Sequence, residues 1–137
     1  MPETFRFFAA GASAGRALVL EEPLSFWGGL DPNTGVVINK HHPQHGLSVT
    51  NRMLFMPHGS GSSSSSSVIL EAIRLKTHPA GIVLREPDEI IALGAIVGRQ
   101  LYGISIPVVV VGAGDYDSVT DGDLVEVSAS GLHVRGS

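Results

Sequence analysis

The sequence predicts one mixed α/β domain of many short strands and two to three helices. Three observations predict it. The 137 residues match the size of a single domain, so residues 1–137 are read as one unit. Seventeen glycines and eight prolines cut the chain into short elements. The second half alternates apolar strand runs with a helical pattern at the spacing of a parallel βαβ unit.

The elements follow in order. Ala17-Leu18-Val19-Leu20 is a buried strand, preceded by a small-residue turn over Gly11 to Gly15 and stopped by Glu22-Pro23. Trp27-Gly28-Gly29 and Asp31-Pro32-Asn33-Thr34-Gly35 form a long loop with a turn inside it. Val36-Val37-Ile38 is a second strand, and His41 to Gly46 a polar loop. Arg52 to Met56 is a buried strand ended by Pro57. A glycine-serine run over Gly59 to Ser67 leads directly into Val68 to Leu75, a helix apolar nearly all round. Ala80 to Leu84 is a strand. Pro87 and Asp88 open a helix that ends between Arg99 and Gly103. Pro107 to Val111 is a fully buried strand. Leu124 to Val127 and Leu132 to Val134 flank Ser128-Ala129-Ser130-Gly131 as a terminal hairpin.

Composition narrows the function. The chain has no cysteine, which excludes a disulfide scaffold, a cysteine zinc site, a cysteine nucleophile and iron–sulfur ligation by this chain. A net charge of −4 argues against nucleic acid as partner, because phosphate neutralisation needs clustered Lys and Arg. Apolar runs such as Val108 to Val111 are too short to cross a bilayer, and the first residues lack a basic stretch leading into an apolar one. No membrane contact and a cytoplasmic location are expected. Charged residues are only 16%, which points to a surface covered by a partner.

The serine run is the most informative feature. A glycine-rich turn entering a helix presents backbone N–H groups at the positive end of the helix dipole, a setting that favours carboxylate or phosphate. Neighbouring hydroxyls add donors that rotate to suit a ligand. The plainer reading is helix capping and solubility. His41, His42 and His45 lie within five positions, yet Pro43 breaks any helix that would align them and no carboxylate lies in the loop, so a solvated or substrate-side loop is expected there rather than a metal site. His78 and His133 read as ordinary structural or surface residues. Asp115, Asp117, Asp121 and Asp123 lack the downstream Glu of a calcium loop; Asp121-Gly122-Asp123 reads as turn chemistry. Phe26 and Trp27 read equally as core or as an exposed contact patch.

In order along the chain stand Ser25-Phe26-Trp27-Gly28-Gly29 with Asp31-Pro32-Asn33-Thr34-Gly35, His42-Pro43 with Gly46, Gly59-Ser60-Gly61-Ser62-Ser63, and Ile106-Pro107-Val108-Val109. This succession resembles the small subunit of the aconitase X family over nearly the whole chain. The resemblance implies a swivelling β/β/α domain with a mixed sheet or barrel-like core. It implies a hydro-lyase, active only with a large partner subunit that carries an iron or iron–sulfur centre, with no cofactor or metal site in this chain and a heterodimer as the working unit. In aconitase-type swivel domains the first serine after the second glycine of the loop is the base, which here is Ser62. Gly61, Ser63 and Ser64 then bind the substrate anion. Aconitase has an arginine where Ser64 stands, so the resemblance leaves a cation to be supplied by the partner.

Two activities divide the family: dehydration of cis-3-hydroxy-L-proline and of mevalonate 5-phosphate. Archaeal members carry Gly-Arg-Gly-Ser in the loop, and Ser60 replaces that arginine here. A phosphate ester suits an arginine fork better than an amino acid zwitterion does, so cis-3-hydroxy-L-proline is the expected substrate. A second resemblance, of Gln100 to Val127 to phosphohistidine carrier domains, makes His78 a carrier, but Thr77-His78-Pro79 lacks that family's setting. A third reading is a non-catalytic interaction domain.

Overall fold

In the computed structural model, residues 5–60 and 63–136 are described. Seven strands form one mixed sheet in the order β1-β7-β6-β5-β2-β8-β9. They are β1 (Phe5–Ala9), β2 (Ser13–Val19), β5 (Met53–Phe55), β6 (Gly81–Leu84), β7 (Val108–Val111), β8 (Leu124–Ser128) and β9 (Gly131–Gly136). A small ladder of β3 (Leu30–Asp31) and β4 (Val36–Val37) lies apart from it. The large sheet is curled into a half-barrel. Its centre is parallel: β2 with β5, β5 with β6 and β6 with β7. Both flanks are antiparallel, β1 on β7 and the β8–β9 hairpin on β2.

Two longer helices, α2 (Ser65–Leu75) and α3 (Glu89–Tyr102), cross between parallel strands. Two one-turn segments, α1 (Phe26–Gly29) and α4 (Ala113–Asp117), complete the set. The expected βαβ unit is β6-α3-β7, with Ile82 opposite Val108 and Leu84 opposite Val110.

Strand alternation builds two cores. Leu54, Ile82, Leu84, Val108 and Val110 face the helices and pack with Ile69, Ile73, Ile91 and Ala95. Their alternating neighbours Met53, Phe55, Val83, Val109 and Val111 pack on the other side with Val125 and Val127 of β8. The layers are therefore strand, strand, helix, the β/β/α arrangement expected.

Three expectations change. Gly11 to Gly15 is not one turn: β2 starts at Ser13, because Ser13 to Arg16 pair with β8 before Ala17 to Val19 pair with β5. Small residues read as a turn here serve close packing, since a Cβ on Gly15 would lie 2.6 Å from the Asn51 carbonyl. Strand β1 is an element that periodicity did not reveal: Phe5-Arg6-Phe7-Phe8 has no clean alternation, and its burial comes mostly from pairing with β7. Helix α2 is buried on one face only; Arg74 on the other is exposed and pairs with Glu71.

Candidate active site at the carboxyl edge of the parallel strands

The four parallel strands β2, β5, β6 and β7 all end at one edge of the sheet, and the connections that follow them meet there. Open α/β sheets bind ligands outside this edge. Backbone hydrogen bonds weave the connections together. Leu20 N–H donates to Phe55 O, and Met56 N–H to Val83 O. Arg85 N–H and Glu86 N–H both donate to Pro57 O, at 3.0 and 3.1 Å. The segment leading to the serine loop is thus anchored on both sides.

Helix α2 begins at Ser65. Ser63 and Ser64 form the turn before it, and Ser64 already has helical angles, φ −71 and ψ −7. The side chain of Ser64 does not cap the helix. The carbonyl of Ser64 accepts from Ser67 N–H at 3.0 Å, and the hydroxyl of Ser66 donates to Ser63 O at 3.2 Å. The serine run therefore does more than end-cap a helix: its residues close the first turn. Gly61 and Ser62, the expected substrate-binding and base residues, lie outside the described residues.

A small cleft of about 70 Å³ lies beside the loop, lined by Phe26, Gly59, Ser60, Ser65, Asp88 and Ile91, among others. Ser65 is 4% exposed, and its Oγ accepts the Trp27 N–H at 3.3 Å. Asp88 caps α3, its Oδ1 accepting from Ile90 N–H and Ile91 N–H, both at 3.0 Å. Gly59 sits so close to Asp88 that a Cβ there would collide with its carboxylate. A side chain at this point would have to displace the carboxylate that caps α3. The cleft thus joins the serine loop to the starts of both long helices.

Phe26 and Trp27, indistinguishable by type, separate in the structure. Phe26 is 1% exposed and lines the cleft, whereas Trp27 is 57% exposed. Gly28 follows at φ +78, a left-handed conformation that glycine adopts freely.

The histidine loop is only partly solvated. His41 is exposed, whereas His42 is 5% exposed. Its Nδ1 accepts from Gln44 N–H at 3.0 Å, which leaves Nε2 to donate to Glu22 O at 3.0 Å. That full pairing of a buried ring makes His42 a strut between the loop and the segment after β2. Asp121 Oδ1 accepts from Val19 N–H and Asp123 Oδ2 from Thr120 N–H, so both acids serve the turn before β8. His78 follows the far end of α2, with Nδ1 2.8 Å from Pro79 O; eleven helical residues place it roughly 16 Å from the serine turn. His133 lies 3.1 Å from the Ser130 hydroxyl on the terminal hairpin.

Among the described residues, no three His, Cys, Asp or Glu side chains form a group that could hold a metal. With no cysteine in the chain, it offers no thiolate to an iron–sulfur cluster. No helix among the described residues is long and apolar enough to cross a membrane.

Sequence reasoning missed Ser65 and Asp88 as parts of the site. Ser65 is one of six consecutive identical serines, so no spacing distinguishes it. Asp88 carried a signal, an acceptor just after Pro87 at a helix start, but it read as a cap alone.

The chain matches a family model described as the aconitase X swivel domain over residues 4–135. It is 49% identical over 107 residues to a protein of Pseudomonas aeruginosa named cis-3-hydroxy-L-proline dehydratase, a match covering 78% of this chain and 18% of that protein. It is 45% identical over 92 residues to the phosphomevalonate dehydratase small subunit of Methanothermobacter thermautotrophicus, covering 67% of this chain and 70% of that one. A crystal structure of Thermococcus kodakaraensis aconitase X superposes with a TM-score of 0.84 at 31% identity, covering 98% of both chains. The chain spans about a fifth of the length of the first two curated relatives it matches, 18% and 20%.

Proposed function

Since this chain belongs to the aconitase X family as its swivel domain, we propose that it is the small-subunit part of a dehydratase that removes water from cis-3-hydroxy-L-proline. The observation that carries the reading is the serine turn itself. It opens a helix buried on one face, at the carboxyl edge of four parallel strands, beside a cleft, in a chain whose relatives bear dehydratase names. The large partner subunit would complete the site and hold the iron or iron–sulfur centre; this chain has no cysteine to offer a cluster. A cytoplasmic location accompanies this reading.

The roles assigned to this chain's residues are those the family resemblance implies. Ser62 takes the α-proton of the substrate. A serine hydroxyl is a weak base, so it acts only where positive potential lowers its pKa, and the amino end of α2 supplies part of that potential. Gly61, Ser63 and Ser64 offer amides and hydroxyls to the substrate carboxylate. Asp88 and Ser65 hold the cleft wall in place.

Two features favour hydroxyproline over a phosphorylated substrate. Ser60 replaces the arginine that would pair with a phosphate, and the match to the Pseudomonas protein is 49% identical. The test is turnover of both substrates by the assembled dehydratase. Wild type is expected to dehydrate cis-3-hydroxy-L-proline, and Ser62→Ala to lose at least about a hundredfold in kcat, as removal of a general base does. Wild-type turnover by Ser62→Ala removes the assigned role. Turnover of phosphomevalonate alone reassigns the substrate.

A further inference from the structure

Most arginines of this chain have a task inside the fold. Arg16 donates to Gly122 O, Arg52 to Arg16 O and Ala17 O, and Arg74 and Arg135 pair with Glu71 and Glu126. Arg6 lies over the Phe8 ring, and Arg99 stands in the last turn of α3, where a cation suits the helix dipole. Arg85 is different. Among the described residues its guanidinium makes no hydrogen bond and no ion pair, and the same holds for the carboxylate of Glu86 beside it. Both residues are exposed, and they do not pair with each other.

Their place in the fold gives the two charges a use. They follow β6 at the carboxyl edge of the parallel strands, and with Pro57 they line a groove of about 300 Å³. Ligand pockets begin at about this volume, and the cleft of about 70 Å³ falls well short of it. The two hollows are neighbours. Pro57 and Glu86 line the groove; two residues on in each segment, Gly59 and Asp88 line the cleft. Two residues of chain span at most about 7 Å. A further groove of about 380 Å³, beside Ala9 and Arg99, lies at the opposite edge, because Ala9 pairs with Val108 at the start of β7.

We propose that this groove seats the substrate as an amino acid zwitterion, the Arg85 guanidinium taking its carboxylate and the Glu86 carboxylate its ring ammonium. The inference rests on the dehydratase reading and names the two charges that suit hydroxyproline. A guanidinium presents a planar fork of donors that matches a carboxylate. A carboxylate accepts from several donors, so Arg85 and the loop residues Ser63 and Ser64 can share it. The cation missing from the loop at Ser64 is then present in this chain. Mevalonate 5-phosphate brings no cation for Glu86, and its dianion is repelled there. In solvent two unpaired charges cost little. Once the large subunit closes the site they lose water, and a zwitterion gives each a partner.

The experiment uses the assembled dehydratase and three competitive inhibitors. L-Proline carries both charges, L-prolinamide only the ammonium, and cyclopentanecarboxylate only the carboxylate. Wild type is expected to hold L-proline tightest of the three. Arg85→Gln is expected to weaken L-proline and cyclopentanecarboxylate by about tenfold or more and to leave L-prolinamide within about twofold. Glu86→Gln is expected to weaken L-proline and L-prolinamide to the same degree and to spare cyclopentanecarboxylate. On cis-3-hydroxy-L-proline both variants should raise KM more than they lower kcat, and Arg85→Lys should recover part of the loss. Equal loss for all three inhibitors overturns the proposal, since that marks a distorted site rather than two charge contacts. Weakened assembly with unchanged inhibition constants overturns it as well, because the charges then face the partner. If wild type turns over hydroxyproline and both variants match it, only this inference falls. If wild type turns over phosphomevalonate alone, the substrate reading falls with it.

Discussion

The backbone N–H of Trp27 donates to the Oγ of Ser65 across 3.3 Å, joining the turn after β2 to the first residue of α2. These two residues are 38 positions apart, and Ser65 is 4% exposed. The serine that starts the helix also fixes the turn that carries the exposed ring.

Ser65→Ala therefore removes the acceptor for Trp27 N–H and leaves the α1 turn tied mainly by its own residues. The expected loss is about 1–2 kcal/mol of folding stability, the cost of one broken, partly buried hydrogen bond. Urea denaturation measures it. Tryptophan emission in the native state should also change, since the indole loses its fixed mount. An unchanged midpoint and spectrum would contradict the coupling.

Asp88→Ala strips two acceptor contacts from the start of α3, those to Ile90 and Ile91. A lost cap of this kind costs about 1 kcal/mol. Asp88→Asn keeps an acceptor oxygen and should recover most of that. Because Gly59 lies against the same carboxylate, Asp88→Ala should also lower activity beyond its effect on stability. Denaturation midpoints and assembled-enzyme turnover, measured on the same variants, separate the two effects.

Gly15→Ala is expected to destabilise by about 1–3 kcal/mol through overpacking. The added methyl would lie 2.6 Å from Asn51 O and 3.1 Å from Met53 N, both backbone atoms that cannot rotate away. By comparison, Gly46→Ala meets nothing within 4 Å, and its cost comes from φ +90 alone. Thermal unfolding of the pair distinguishes steric from conformational penalties.

Tyr116 packs edge-on against Phe55, and its buried hydroxyl has no hydrogen-bond partner among the described residues. Burial pushes its pKa up to about 12, opposed in part by the nearby Arg85. The unfolded chain ionises this phenol near pH 10, about 2 units earlier. Between those values the unfolded state has released a proton that the folded state keeps, so stability falls as pH rises. Tyr116→Phe should flatten that decline and, at neutral pH, leave stability equal or slightly higher, because an unpaired buried hydroxyl is removed. Denaturation at pH 9 to 12, with phenolate absorbance followed in parallel, checks both expectations.

Much of the fold was legible where one signal dominated. Val108 to Val111 is fully buried, and a run of four valines after proline leaves little else to be. Asp88 after Pro87 marked the start of α3 correctly because cap chemistry is local. Where tertiary pairing decided, the residues were silent. Ser13 to Gly15 are poor strand formers, and they are extended because β8 pairs with them. The site divides in the same way. The serine loop was legible as a helix entrance because glycine and hydroxyl residues before an apolar run have few other uses. The opposite fates of Phe26 and Trp27 were not, since two adjacent aromatics differ only in which way a turn faces them. Likewise the buried His42 could not be told from exposed His41, because its partner is a carbonyl twenty positions away.

Strand β2 serves two ladders at once, and Ala17 is the point of transfer between them. Its N–H donates to Asp123 O at 2.7 Å, while its carbonyl accepts from Arg52 Nη2 at 2.9 Å and from Gly122 N–H at 2.8 Å. Releasing the terminal hairpin therefore means opening half of a strand whose other half anchors the parallel centre. Sub-global opening of the hairpin is accordingly costly, and the whole molecule should melt as one cooperative unit. Amide hydrogen exchange should find its slowest protons at Ala17 and Leu18, the seam shared by both ladders.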